Sequence, residues 1–89
     1  MVEKRIIIKN KLGLHARAAV KFVNLANRFS SSVRIEKDGN EIDGKSILGI
    51  LTLAAVQGSK ITLKSSGKDE NSALRALVAL INSRFDEKE

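Results

Sequence analysis

Residues 5–29 read Arg5-Ile6-Ile7-Ile8-Lys9, then Asn10-Lys11-Leu12-Gly13-Leu14, then His15, then Ala16-Arg17-Ala18-Ala19-Val20-Lys21-Phe22-Val23-Asn24-Leu25-Ala26-Asn27-Arg28-Phe29. The β-branched run bounded by charge predicts a buried strand over Arg5–Lys9. The next five residues predict a loop. From Ala16 the apolar period becomes helical. Ala19, Phe22, Val23, Ala26 and Phe29 recur on one face, which predicts a helix over Ala16–Phe29. Arg17, Lys21, Asn24 and Arg28 fall together on a basic, polar face.

Ser30-Ser31-Ser32 breaks that helix, and Val33 and Ile35 then alternate with Arg34 and Glu36 as in a half-buried strand. Lys37-Asp38-Gly39-Asn40 predicts a hairpin turn, because Asp-Gly accepts positive φ. Glu41-Ile42-Asp43 is the returning strand. Ser46 is a good N-cap for a short helix from Ile47, and Gly58 ends that region. Ile61 and Leu63 alternate with Thr62 and Lys64 in a fourth strand. Gly67 turns the chain, and Asp69 is placed to cap a last helix through about Arg84, with Leu74, Leu77, Val78 and Ile81 as its apolar stripe. The order is β-α-β-β-α-β-α. A four-stranded sheet with helices on one face is the simplest two-layer packing for these elements, an α+β class.

With 89 residues and 43% hydrophobic content the chain is expected to form one domain over 1–89 with a modest core. No linker, repeat or low-complexity tract interrupts it. The absence of cysteine excludes disulfides and thiolate metal sites. The apolar stretch Ile47–Val56 is too short to span a bilayer, and Met1–Ile6 does not look like a signal peptide, so a soluble cytoplasmic protein is the expectation. No direct membrane insertion is expected. The net charge of +6 is uneven. Met1–Arg34 holds eight basic residues and one acid; the remainder holds eight bases and nine acids. Such a field can attract nucleic acid, membrane or acidic protein surfaces. A nucleic-acid-binding domain is the alternative from another class. Against it, Phe22, Phe29 and Phe85 are the only aromatics, and none interleaves with the basic residues for base stacking.

His15 is the single histidine, at the point where loop becomes helix. The first N–H groups of a helix lack intrahelical partners and form its positive end, so a phosphate can rest on donors such as the Ala16 and Arg17 amides. Arg17 can add a guanidinium. Gly13 would let the backbone approach a ligand, and Ala16, Ala18 and Ala19 would keep the approach open. Neutral imidazole is a competent nucleophile. Taken alone, a lone histidine at a helix start is more often a cap or surface residue. No second histidine supports a metal site, no serine-histidine-acid set is apparent, and no cofactor motif is present.

Gly13-Leu14-His15-Ala16-Arg17-Ala18-Ala19 resembles the active-site motif of the HPr family, the histidine-containing phosphocarriers of the bacterial sugar phosphotransferase system. Lys45-Ser46-Ile47-Leu48-Gly49-Ile50-Leu51, followed by Leu53-Ala54-Ala55 and Gly58, resembles a second family segment. Gly67-Lys68-Asp69-Glu70, with Ala73 and Leu77 beyond, resembles a third. The resemblance implies an open-faced β-sandwich with strand order 1-4-2-3. It implies that His15 is phosphorylated on Nδ1 by phosphorylated Enzyme I, fed from phosphoenolpyruvate, and passes the group to an Enzyme IIA. The chain would then be a carrier and not a stand-alone enzyme. Arg17 maps onto the phosphate-assisting arginine. Ala18 stands where the family usually has proline; alanine is an excellent helix former, so tuning is expected in place of loss.

Ile47, Leu48, Ile50, Leu51, Leu53 and Val56 are more apolar than one buried stripe requires, which suggests an exposed docking patch near a basic rim. By resemblance Val20, Ile47, Leu48 and Leu51 would contact partners, and Lys21 and Lys45, with Arg17 as a further candidate, would steer acidic ones. For Ile50 and Leu53 a core role is as good a reading. Ser46 reads structurally as an N-cap. By resemblance it matches the serine modified by an HPr kinase/phosphorylase, and a phosphate there would oppose docking. A monomer is expected, since one face must serve successive partners. A nitrogen-related regulatory branch of the same relay would use the same chemistry at His15. The tail Asp86-Glu87-Lys88-Glu89 reads as solvated surface and a frayed end.

Overall fold

Alternation along the strands builds the sheet. In the computed structural model, which describes residues 1–87, the elements run β1 (Val2–Ile7), α1 (Ala16–Ala26), β2 (Ser32–Lys37), β3 (Asn40–Asp43), α2 (Ile47–Thr52), β4 (Lys60–Ser66) and α3 (Glu70–Asn82), with a 3₁₀ turn at Arg84–Asp86. All pairings are antiparallel and the order is β1-β4-β2-β3. Ile6, Val33, Ile35, Ile61 and Leu63 point into one core with Phe22, Ala26, Leu77 and Ile81 from α1 and α3. The sheet's other face meets solvent, as a single antiparallel layer permits.

That open face corrects the first strand. It spans Val2–Ile7 and is not buried throughout: Ile6 and Ile8 face the core while Ile7 stands in solvent. Strand periodicity sends alternate residues outward whatever their apolarity. The hairpin forms as its dipeptide predicts, with Asp38 at φ 52 and Gly39 at φ 85. α1 ends at Ala26, short of Phe29. Beyond it the amides of Arg28 and Phe29 bond to Leu25 and Ala26, three residues back, so the chain tightens into 3₁₀ geometry and leaves Phe29 half-buried.

The Asp69 carboxylate does not cap α3. The residue occupies the N-cap position, its carbonyl accepting the Ala73 amide at 2.9 Å, but its side chain makes no capping bond. The carboxylate instead accepts the Ser31 hydroxyl and the amides of Ser30 (3.0 Å) and Ser31 (2.9 Å), latching the start of β2 to the start of α3. Glu70 takes over locally, its carboxylate accepting the Gly67 amide at 3.1 Å. The Ser31 hydroxyl and the Ser30 amide, then the Ser31 amide, push the Asp69 carboxyl down to about 2 against the opposing effect of desolvation. A folded pKa below the unfolded one gives a contribution complete above about pH 4 that fades as pH falls towards 2. Asp69→Asn is therefore expected to flatten the acid limb of stability. Denaturant midpoints measured against pH check this, and an unchanged acid limb would remove the latch from the account.

α3 ends at Asn82, before the predicted Arg84. Arg84, Phe85 and Asp86 then take φ values of 59, 55 and 61, a left-handed reversal that drives Phe85 into the core at zero exposure. No helix among the described residues is long and apolar enough to cross a membrane.

Candidate functional site

β1 and the following loop deliver His15 to the N-cap of α1, with φ −76 and ψ 176 and no side-chain capping bond. The first intrahelical bond runs from the Ala19 amide to the His15 carbonyl at 2.9 Å. The amides of Ala16, Arg17 and Ala18 precede it and have no partner among the described residues. They are the unpartnered donors of the helix's positive end, and those of Ala16 and Arg17 belong to exposed residues. Arg17 is exposed and makes no hydrogen bond or ion pair among the described residues, so its guanidinium is available beside them. Ala16 is exposed as well. Ala18 and Ala19 are fully buried, so they pack the helix onto the core and do not keep an approach clear.

Gly13 also has a different task from the one expected. At φ +67, an added Cβ would lie 2.4 Å from the Ala55 carbonyl oxygen and 2.8 Å from Val56 Cα. The neighbouring Leu14 amide donates to that same carbonyl at 2.9 Å. The close approach is thus to the chain after α2, which holds the His15 loop in place.

The His15 side chain is 24% exposed, and its Nε2 is hydrogen-bonded to Oε2 of Glu87. The other Glu87 oxygen accepts from Asn10 Nδ2 at 2.9 Å, and the same amide donates to the Gly13 carbonyl at 2.8 Å. Asn10 is fully buried. Burial works to raise the Glu87 carboxyl, but the bonds from Asn10 and His15 and the nearby Lys21 charge hold it below the usual range. This overturns the solvated reading for Glu87, though Asp86 is exposed; Lys88 and Glu89, the rest of the expected frayed end, lie outside the described residues. In the neutral ring, an acceptor-only carboxylate at Nε2 selects the tautomer with the proton there and the lone pair on Nδ1.

Val20, Ile47, Leu48 and Leu51 are all exposed, Leu48 by 73%. Ile50 and Leu53 go into the core. α1 packs against α2, so the four outward side chains lie on adjoining helices. The expected steering lysines are both engaged: Lys21 Nζ donates to the Phe85 carbonyl and Lys45 Nζ to that of Phe29 at 2.8 Å. Ser46 caps α2, its Oγ accepting the Gly49 amide at 3.0 Å. No group of histidine, cysteine, aspartate and glutamate able to hold a metal occurs among the described residues.

One imidazole at a helix start and exposed apolar side chains on two adjoining helices are thus the features of this small α+β protein. Its class is that of a carrier, not a stand-alone enzyme. The family model for the PTS HPr component phosphorylation site matches residues 2–83. The phosphocarrier protein HPr of Cupriavidus necator is 48% identical over 89 residues, covering all of both chains. The crystal structure of HPr-C-His from Thermoanaerobacter tengcongensis superposes with a TM-score of 0.96 at 48% identity, again over all of both chains. An HPr dimer from the same organism matches with a TM-score of 0.79 at 49% identity, covering 98% of this chain and all of that one. The chain belongs to the HPr family, the phosphocarriers of the phosphotransferase system.

Proposed function

We propose that His15 carries the phosphoryl group, on Nδ1. The observation that carries this reading is the ring's asymmetry: Nε2 is held by Glu87, while Nδ1 has no partner among the described residues, at the N-cap of a helix where the amides of the exposed residues Ala16 and Arg17 are unpartnered. The phosphoryl oxygens would accept hydrogen bonds from the Ala16 and Arg17 amides, with Arg17 closing over them. Transfer then needs positioning and charge stabilisation more than new chemistry. The donor is phosphorylated Enzyme I and the acceptor an Enzyme IIA, met in the cytoplasm by the Val20, Ile47, Leu48 and Leu51 surface of a monomeric carrier. Incubation with Enzyme I and phosphoenolpyruvate, followed by mapping of the modified residue without acid, tests the assignment. A phosphoryl group on any other residue would end it.

Ser46 is the proposed regulatory site, modified by an HPr kinase/phosphorylase. Its hydroxyl already sits at a helix N-terminus between the docking residues Lys45 and Ile47, so added charge there would be tolerated by α2 and opposed by acidic partners. Ser46→Asp is expected to slow phosphorylation by Enzyme I with little change in thermal stability. Parent-like rates at low salt would remove Ser46 from the docking surface.

A further inference from the structure

Three successive non-glycine residues with positive φ, Arg84, Phe85 and Asp86, are unusual in one chain and carry a backbone cost. Here they turn the chain back towards α1. Phe85 fills the core, Lys21 Nζ holds the Phe85 carbonyl, and Glu87 arrives at His15 with 13% of its side chain exposed. Both carboxylate oxygens are then used, one by His15 Nε2 and one by Asn10. Asn10, through Gly13, ties the carboxylate to the loop that positions His15. A merely frayed chain end would show none of this.

We propose that Glu87 is a positioning residue for phosphoryl transfer: its carboxylate keeps the proton on Nε2, aims the Nδ1 lone pair outward, and balances the positive charge the ring acquires. The proposal rests on His15 being the phosphoryl acceptor. On arrival, the Nδ1 lone pair forms the bond to phosphorus while the donor's bond to phosphorus breaks and its electron pair leaves with the donor. The ring keeps its Nε2 proton and becomes a phosphoimidazolium facing Glu87. On departure, the N–P pair returns to Nδ1 as the acceptor's lone pair takes the phosphoryl group, and the neutral ring retains the same proton. No proton moves in either step. Without a carboxylate the phosphorylated ring would more readily lose that proton, and transfer would then have to expel an imidazolate, a far poorer leaving group. A carboxylate behind a working imidazole fixes its tautomer and supports its cationic form by the same physics elsewhere. Among the described residues, the charged groups at this helix start are Glu87 from the C-terminal turn, Lys21 of α1 through its charge on Glu87, and the exposed Arg17 of α1.

Glu87→Gln keeps the shape and an acceptor oxygen and removes the charge, while Glu87→Ala removes both. With Enzyme I and phosphoenolpyruvate, Glu87→Gln is expected to accept phosphate about tenfold more slowly and Glu87→Ala about a hundredfold, with Glu87→Asp recovering part of the rate. The isolated Glu87→Gln phosphoprotein should outlive the parent's at neutral pH, because its ring is less often in the cationic, labile form. Thermal midpoints of all variants are read alongside. Parent-like rates and lifetimes in both Gln and Ala variants overturn the proposal. So does a rate loss that follows the thermal midpoint with an unchanged phosphoprotein lifetime, since that is the mark of a strap alone. His15→Ala separates the two readings: label on that variant ends the acceptor assignment, whereas an inert His15→Ala beside parent-like Glu87→Gln and Glu87→Ala ends this inference only.

Discussion

His15→Ala is expected to abolish phosphoryl transfer, with labelling from phosphoenolpyruvate and Enzyme I falling below detection. The sequence holds no second histidine and no cysteine that could substitute as a nitrogen or sulfur nucleophile. The fold should hardly notice. The side chain is partly exposed, makes no capping bond to α1, and among the described residues is paired only with Glu87, which keeps Asn10 as a partner. A stability change within about 1 kcal/mol is the expectation for such a site. Loss of label with an unchanged unfolding curve is therefore the signature of a lost nucleophile and not of a damaged protein. A variant that still took up phosphate at the parent's rate would refute the assignment, whatever its family.

The sheet and the helices were legible because local periodicity decides them. Val33–Ile35 and Ile61–Leu63 alternate, Asp38-Gly39 marks the tight turn from β2 into β3, and Ala19–Phe22–Val23–Ala26 repeats at helical spacing. His15 and Arg17 were legible as neighbours at a helix start, and Ile47, Leu48 and Leu51 as surplus apolarity on a short helix. The long-range polar contacts were not. Glu87 sits 72 residues from His15, and nothing in Arg84-Phe85-Asp86-Glu87 announces a left-handed reversal without glycine. The Asp69 latch to Ser30 and Ser31 spans 39 and 38 residues, and a helix-start aspartate reads as a cap until its side-chain partners are known. Gly13 was recognised as a close-approach glycine, but spacing cannot say which surface approaches; the Ala55–Val56 backbone does. One signal was available: Phe85 lies four residues beyond Ile81, in phase with the α3 stripe, so the apolar pattern itself runs past the helix.

Phe85→Ala is expected to produce the largest loss of stability of any substitution considered, about 3–5 kcal/mol, the range for emptying a buried aromatic site. The ring is fully buried in the same core as Phe22, Leu77 and Ile81. Two features place the cost at the upper end. The aromatic is the apolar anchor of a backbone turn with three positive φ values, so its removal also leaves that strain uncompensated. Its carbonyl is the acceptor for Lys21 Nζ, a half-buried ammonium that would need a new partner if the turn opened. Chemical denaturation measures the loss; a change under 1 kcal/mol would mean that the turn holds without its anchor. Because Glu87 reaches His15 only through this turn, Phe85→Ala should also slow phosphoryl acceptance in conditions where the chain remains folded. Phe85→Leu, which keeps most of the apolar volume, should recover both properties together. Recovery of stability without recovery of rate would show that the core and the His15–Glu87 pair are separable, and that the tail's place in the core is not what brings its carboxylate to the imidazole.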